Sequence, residues 1–484
     1  MTKHSANTPL YDLLIQRIID YVYQKNNFHQ DMALMRSAYV TLLDAMACLA
    51  RGILIPECRH LLGPIVPGTL VPNGAHVLGT NHVLDPVKAA FDMGTAIRWL
   101  DYNDTWLSKE WGHPSDNLGG ILAVADIVAQ RRLLQKKTPL LLEDVLIAMI
   151  QAYEIQGILA IDNAFNAVGI DHVLLVKIAT TAVVSKLLGL SRAKALIALS
   201  HAWIDGHSLR IYRHAPNVGS RKSWAAGDAS ARGVFLSYLA DKGISPCPTA
   251  ITEQHWGLQS VLFKGQAITL HQPLDAYVLP KVLFKVAFPA EFHAQTAAEA
   301  ALILHAQVTL RLSEIERIEI VTQQPAMDII VKNGPLNNSA DRDHCLQYIV
   351  AVALLYGEIT DASYSDQIAS DPRIDALRKK TVVTLDSSFY ARYLDLSDRA
   401  IPNQVRVFFS DGTATEAVTV LYPLGHPRRR EEALPYLKKK FIEAMLLLFP
   451  DRSSDNWEQL WISDDLKRSF GSWMRHFLPL NLDK

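Results

Sequence analysis

Between residues 9 and about 240, apolar side chains return at three- and four-residue steps in one segment after another. Leu10, Leu13, Leu14, Ile18 and Tyr21 form the first stripe, and similar stripes run over 31–50, 86–100, 118–133, 143–160, 172–188 and 191–204. A period near 3.6 lays apolar groups along one face of a helix, whereas a half-buried strand needs a period of two. Proline and glycine punctuate the gaps, in GPIVPG at 63–68, GHP at 112–114 and HAPNVGS at 214–220. Asp85-Pro86 is an N-cap followed by proline at the first helical position. Ser191 opens a further helix, directly after Gly189 ends the one before. This much helix in series predicts a large all-helical domain.

The pattern changes after about 245. Residues 260–263, 282–286, 317–321 and 382–385 are short β-rich runs. Residues 405–409, the Asp411-Gly412 pair and 415–422 together read as a hairpin. Helical patterns lie between these strands at 293–311 and 342–356, and helices return over 431–449 and 456–477. The expected fold is mainly α with α+β. A large helical domain takes residues 1–273, a smaller α+β domain takes 274–424, and C-terminal helices over 425–484 return to the first domain. A chain of 484 residues exceeds what one hydrophobic core holds, which agrees with two.

Charge narrows the partners. Lys and Arg number 48 against 49 Asp and Glu, so the net charge is −1. Neither nucleic acid nor an anionic membrane face is attracted by such a balance. The four cysteines, Cys48, Cys58, Cys247 and Cys345, are too few and too scattered for a disulfide framework, and no CxxC pair proposes a zinc site. Free thiols in a reducing cytoplasm are expected. The start, Met1 to His4 followed by an amphipathic stretch, lacks the apolar run of a signal peptide. The apolar span 172–190 carries Lys177 and Lys186, which argues for a buried helix rather than a membrane span.

Three constellations carry chemistry. In the first, a helix continued from residue 86 puts Asp101, Asp104 and Thr105 on one face, with His113 in the turn beyond and Asp116 or Asn117 capping the next helix. Trp106 and Trp111 suggest an enclosed place. Carboxylates, a hydroxyl and an imidazole suit general acid–base work; a polar helix end at the surface would look the same. The second is a cationic loop with Arg210, Arg213, Arg221 and Lys222, His207 and His214 beside them, and only Asp205 and Asp228 as flanking counter-charges. Arginine grips carboxylates with two parallel hydrogen bonds and lysine adds a point charge; the alternative is a solvated basic loop. The third is Lys285 inside an apolar run, with Glu291 and His293 at the next helix start. A lysine there needs a partner, a ligand or a route to water. His172 opens a long apolar helix, where capping is the plain alternative, and His344 and His426 are similar cases.

Taken together these segments resemble the MmgE/PrpD family, in particular its 2-methylcitrate dehydratase branch. The resemblance rests on DYNDTW at 101–106 and EWGHPSDNLGG at 110–120. It extends through LGPIVPG at 62–68, EIQG at 154–157, YRHAPN at 212–217, RKSWAAGD at 221–228, FPAEFH at 288–293, KNGPLNN at 332–338, and YPLGH at 422–426 with RRR at 428–430. These motifs are collinear from about 10 to 450. The resemblance implies an all-helical domain and an α+β domain with the site between them, no cofactor and no metal, and a homodimer as partner. It implies that 2-methylcitrate loses water to give 2-methyl-cis-aconitate in propionate breakdown; hydration of cis-aconitate is expected as a side activity because one methyl gives only modest discrimination. The resemblance carries over Asp101, Thr105, His113, His172, Lys222, Lys285 and His293 as site positions; with the cationic loop added, Asp101, Thr105, His113 and His172 are expected in catalysis, and Lys222, Arg210, Arg213, Lys285 and His293 on the tricarboxylate. The stretch from Pro289 to His293 is two residues longer than in the family's decarboxylases, and the loop from Trp106 to His113 is longer too, as in dehydratases. Either His113 or His172 is the base; the other histidine, or Asp101 held protonated, is the acid. The competing readings are cis-aconitate decarboxylation on the same fold and a binding protein without turnover.

Overall fold

The fold is described from a computed structural model, covering residues 10–479 apart from 215 and 396; the start at Met1 to His4 lies outside the described residues. The apolar stripes form the helices Leu13–Tyr23, Met32–Leu54, Pro86–Arg98, Leu118–Leu134, Leu142–Asp162, Val173–Leu187 and Arg192–Ala202. The cationic loop leads into Arg221–Asp241. The caps follow the local chemistry. Asp85 accepts from the amides of Val87 and Lys88 at 3.0 Å each, and Ser191 accepts from Lys194. Gly189 ends its helix in the left-handed region at φ +79°. Met32–Leu54 and Leu142–Asp162 are apolar enough to cross a membrane by length and composition, and 83% of each apolar window is buried in the fold.

Glycines set how closely three of these helices meet. A Cβ on Gly94 would lie 2.8 Å from the Gly227 Cα, and one on Gly119 would lie 2.4 Å from the Ala90 carbonyl oxygen. Backbone therefore touches backbone where Pro86–Arg98, Leu118–Leu134 and Arg221–Asp241 pack. That contact draws together the C-terminus of the first helix and the segments that open the other two.

A ribbon of β1 (Ala75–His76) and β2 (Val83–Leu84) lies at the edge of the helical part. The main sheet contains β3 (Ile315–Thr322), β4 (Thr381–Leu385), β5 (Asn403–Phe409) and β6 (Val418–Val420), in the order β4-β3-β5-β6. β3 runs parallel to β4 and antiparallel to β5, with Ile320 opposite both Val383 and Val405. Burial alternates along β5, where Asn403, Val405, Val407 and Phe409 face the core. The helix Gln295–Val308 lies on β5 and β6, and Leu346–Tyr356 packs on it.

Two large apolar clusters result. One gathers residues between Tyr11 and Val286 and resumes from Ala433 to Phe477; the other runs from Phe288 to Phe409. The helices Arg430–Leu448, Ser454–Ile462 and Phe470–Met474 thus pack with the first cluster.

Two short runs differ from the sequence reading. Residues 260–263 belong to the helix Leu258–Phe263, because so short a run cannot separate a period of two from one of 3.6. Residues 282–286 form no strand among the described residues. The segment makes single bridges from Leu283 to Thr105 and from Phe284 to Gly425, so it lies extended between two loops without a full ladder.

Candidate active site

A cleft where the two apolar clusters meet is lined from the helical side by Arg98, Asp101, Thr105, His113, His172, Arg210, Arg213, Lys222 and Lys285, and from the other by Glu291, Asp328, Lys332 and His344. Its volume of about 140 Å³ suits a small organic acid, since it corresponds to roughly ten waters. Six cations line it against three carboxylates, Asp101, Glu291 and Asp328, while Asp171 and Asp343 just outside the lining pair Arg213 and Lys222.

Asp101 is the centre of the first wall, though not by helix continuation. The helix stops at Arg98, and Asp101 takes a left-handed conformation at φ +51°. That backbone costs roughly 1 kcal/mol or more for a residue other than glycine, and ion pairs hold it. Arg98 contacts Asp101 Oδ1 at 2.5 Å and Lys285 contacts the same oxygen at 2.8 Å; Lys285 also bonds the Asp101 carbonyl. Burial opposes ionisation of Asp101, but Arg98 and Lys285 override it and hold the carboxyl well below its ordinary range. Asp101 is therefore a carboxylate, and the reading of it as a protonated acid is corrected. Asp104 does not share its face: it accepts from the Ser115 hydroxyl at 2.7 Å, outside the cleft wall. Nor does either expected cap form. Asn117 bonds Gln156 and Thr180, and Asp116 accepts from Asn103.

Thr105 pairs backbone to backbone with Leu283 at 2.8 Å in both directions, and this bridge brings Lys285 beside Asp101. His113 Nδ1 lies 2.7 Å from the Asp104 carbonyl. A carbonyl only accepts, so Nδ1 carries the proton and Nε2 presents its lone pair, 3.7 Å from Asp101 Oδ1. Burial, with Arg98 as the next cause, keeps His113 neutral, well below the usual imidazole range.

His172 sits at the start of Val173–Leu187, its Nδ1 at 3.3 Å from Asp171 and its Nε2 at 3.9 Å from Asp116 Oδ2. Both Nε2 and that Asp116 oxygen are buried without a hydrogen bond. Burial pulls His172 down to about 3 and pushes Asp116 up to about 7. Below about pH 7 two buried groups thus face each other uncharged.

The cationic loop divides. Arg213 spends its guanidinium on Asp171, at 2.5 and 3.1 Å, and is a strut as much as an anion ligand. Arg210 comes no nearer than 3.9 Å to Asp171 and 4.0 Å to Glu110, and its Nη1 has no hydrogen bond. Arg221 stacks on Trp224 and His207 turns to Lys177, so neither lines the cleft. Lys222 is 3% exposed. It donates to both oxygens of Asp343 at 2.9 and 3.0 Å and lies 3.0 Å from His344 Nδ1, reaching across to the second cluster.

His293 is not brought to the cleft. It is fully buried behind Trp111, ring to ring at 4.0 Å, and its Nδ1 bonds Glu291 at 2.9 Å. Glu291 takes its place in the wall, because residue 291 rather than 293 ends the extended segment on the cleft side. Sequence reasoning missed Arg98, Lys332 and Asp343, and set His344 aside. The available signal was the charged run Asp341-Arg342-Asp343-His344 directly before a very apolar helix. Ligand atoms of Asp101, Asp343 and His344 lie within 4.8 Å of one another, close enough to share a metal. Arg98, Lys285 and Lys222 already occupy those carboxylates, however, and would repel a divalent ion.

The MmgE/PrpD N-terminal domain matches residues 16–271 and the MmgE/PrpD C-terminal domain matches residues 288–461. A 2-methylcitrate dehydratase of Salmonella typhimurium is 52% identical over 447 residues, covering 92% of each chain. Proteins of the same name from Escherichia coli and Cupriavidus necator are 51% and 50% identical, covering 92% and 93% of both chains.

Proposed function

The chain belongs to the MmgE/PrpD family, and from that membership we infer that it is a hydro-lyase that removes water from 2-methylcitrate to give 2-methyl-cis-aconitate. The observation that carries this reading is half identity to curated 2-methylcitrate dehydratases over nearly the whole of both chains. The cleft fits it: six cations line a space for one small acid, and although Asp171 and Asp343 pair Arg213 and Lys222, Arg210 keeps an unbonded Nη1 for a substrate carboxylate.

The proton to be removed sits on the carbon that bears the methyl and one carboxylate. His113 Nε2 is the group we assign as base, because its other nitrogen is fixed as a donor to the Asp104 carbonyl. Arg98 and Lys285 weaken this base in the free protein, and an incoming tricarboxylate neutralises them, so the base strengthens as substrate arrives. As the proton leaves, charge grows on the adjacent carboxylate. Lys222, Arg210, Lys285 and Lys332 then stabilise the transition state more than the ground state. Thr105 orients a substrate oxygen from the first wall, and His172, enclosed by Asp171 and Asp116, positions that wall. Incubation with 2-methylcitrate, with products followed by NMR and mass, tests the reading: loss of one water is expected, and release of carbon dioxide would instead indicate decarboxylation.

The same reading includes hydration of cis-aconitate as a side activity, since one methyl group discriminates by only about 1–3 kcal/mol. It includes turnover without a metal, supported by the cations on Asp101 and Asp343 and tested by activity under chelation. A cytoplasmic protein is supported by four unpaired cysteines, and independence of nucleic acid and membranes by the net charge of −1. A homodimer is supported by Ile65, Val66 and Leu70, which are 83%, 65% and 88% exposed on one loop. Light scattering at micromolar concentration tests it.

A further inference from the structure

Elimination of water needs an acid as well as a base, because hydroxide is a poor leaving group. Among the groups near His113, Asp101 is ionised and both nitrogens of His172 are turned to carboxylates within the helical wall. The opposite wall carries a third imidazole. His344 stands just before the helix Leu346–Tyr356, and its Nδ1 bonds Asp343 Oδ1 at 2.7 Å. Its Nε2 lies 3.6 Å from Asp101 Oδ2, while His113 Nε2 lies 3.7 Å from Asp101 Oδ1. The two imidazoles thus approach one carboxylate from opposite sides, each through Nε2. The His344 side chain is 20% exposed, against 12% for His113 and 5% for His172, so it is the most open of the three to a ligand.

We propose that His344 is the general acid of the elimination, donating from Nε2 to the departing hydroxyl, with Asp343 as its positioning residue. The assignment rests on the dehydratase reading above. His113 takes the proton from the methyl-bearing carbon, and the C–H electron pair becomes the second bond of the alkene. The C–O bond to the neighbouring carbon breaks, its pair stays on oxygen, and the proton from His344 completes a water molecule. The imidazoles end with exchanged protonation states and reset through solvent. A carboxylate stands near each nitrogen of His344, Asp343 at Nδ1 and Asp101 at Nε2, which favours the charged ring. Burial, and then Lys222 at 3.0 Å, oppose it and leave the ring below its usual range in the free protein. A tricarboxylate bound to Lys222 removes part of that opposition, so the acid gains its proton when substrate is present.

The test compares two leaving groups. 2-Methylcitrate releases water, whereas its analogue with fluorine in place of the hydroxyl releases fluoride, which departs without a proton. His344→Gln is expected to slow water elimination by about 100-fold or more and fluoride elimination by less than about tenfold. His113→Gln is expected to slow both alike, because both need the base. Asp343→Asn is expected to show the His344→Gln pattern in weaker form. Binding of propane-1,2,3-tricarboxylate, measured by calorimetry, checks that each variant keeps its pocket; His344→Asn serves in place of a glutamine variant that does not. If substitution of His344 slows both eliminations equally, or neither, the assignment is overturned. Wild-type protein that returns 2-methylcitrate unchanged overturns the dehydratase reading itself; wild-type turnover with an unaffected His344 variant overturns the acid alone.

Discussion

Replacing Asp101 by Asn removes one charge and almost no volume, at the point where the walls converge. Its side chain is 4% exposed, and those of Arg98 and Lys285 are 2% and 1% exposed, so the cations cannot turn to water. Breaking a buried pair by removing one partner costs about 3–5 kcal/mol. At roughly 2 °C per kcal/mol for a large domain, this predicts a melting temperature lower by about 6–10 °C. The carboxyl is held below its unfolded value, so its stabilisation is complete above the unfolded pKa of about 3.9. It is lost only as pH falls through the lower folded value. The gap between wild type and variant is therefore flat from pH 5 to 8. Saturating propane-1,2,3-tricarboxylate supplies negative charge to the stranded cations and narrows the gap. Turnover falls at least about 100-fold, some 2.7 kcal/mol of transition-state stabilisation, because Lys285 and the His113 side of the cleft lose their reference charge. Differential scanning calorimetry at the two pH values, with and without the tricarboxylate, measures all of this except turnover. A melting temperature within 2 °C of wild type, or a gap that changes steeply across pH 5 to 8, would refute the argument that buried ion pairs hold this turn.

Three further outcomes are expected. His113→Gln lowers kcat by about 10²- to 10⁴-fold with tricarboxylate affinity kept, read from initial rates and calorimetry. Asp116 has its carboxyl pushed up to about 7 by burial, so the folded protein holds a proton that the unfolded chain has lost, and stability drains as pH rises toward 7. Asp116→Asn mimics the neutral acid, and its melting temperature relative to wild type rises from pH 5 to 8; a falling difference would contradict this. Gly119→Ala places a methyl 2.4 Å from the Ala90 carbonyl oxygen and 2.7 Å from the Gly94 amide. Overpacking of this kind costs about 1–3 kcal/mol or more, seen as a lower melting temperature with weakened tricarboxylate binding, because the helix that carries Arg98 is pushed off the helix that follows His113.

Most helices were legible because their burial repeats every three or four residues, and their ends because a cap is local. Ser191 and Asp85 cap the helices that their sequence positions propose. The 260–263 run was misread because it is too short to show a period, and 282–286 because its partners, Thr105 and Gly425, lie far away in the chain. The site follows the same divide. Lys285 in an apolar run announced an unmet charge, and the structure supplies Asp101. Asp101, Thr105 and Asp104 share no helix face, because the helix has already stopped at Arg98. His293, two residues past Glu291, fell behind the wall, since a slip of two positions where an extended segment enters a helix changes which side chain meets the cleft.

The linear order of residues determined what kinds of groups this protein could bring to a reaction: imidazoles, carboxylates and a concentrated set of cations on a mainly helical scaffold. It determined the family as well, because motifs spaced along nearly the whole chain survive without knowledge of their contacts. Only the tertiary structure decided which of those groups meet. Ionisation of Asp101 depends on Arg98 and Lys285 arriving at the same oxygen, and the environment of Lys222 depends on Asp343 and His344 from the other apolar cluster. Electrostatic energy depends on distance through space and on exclusion of water, and neither is a property of position along the chain.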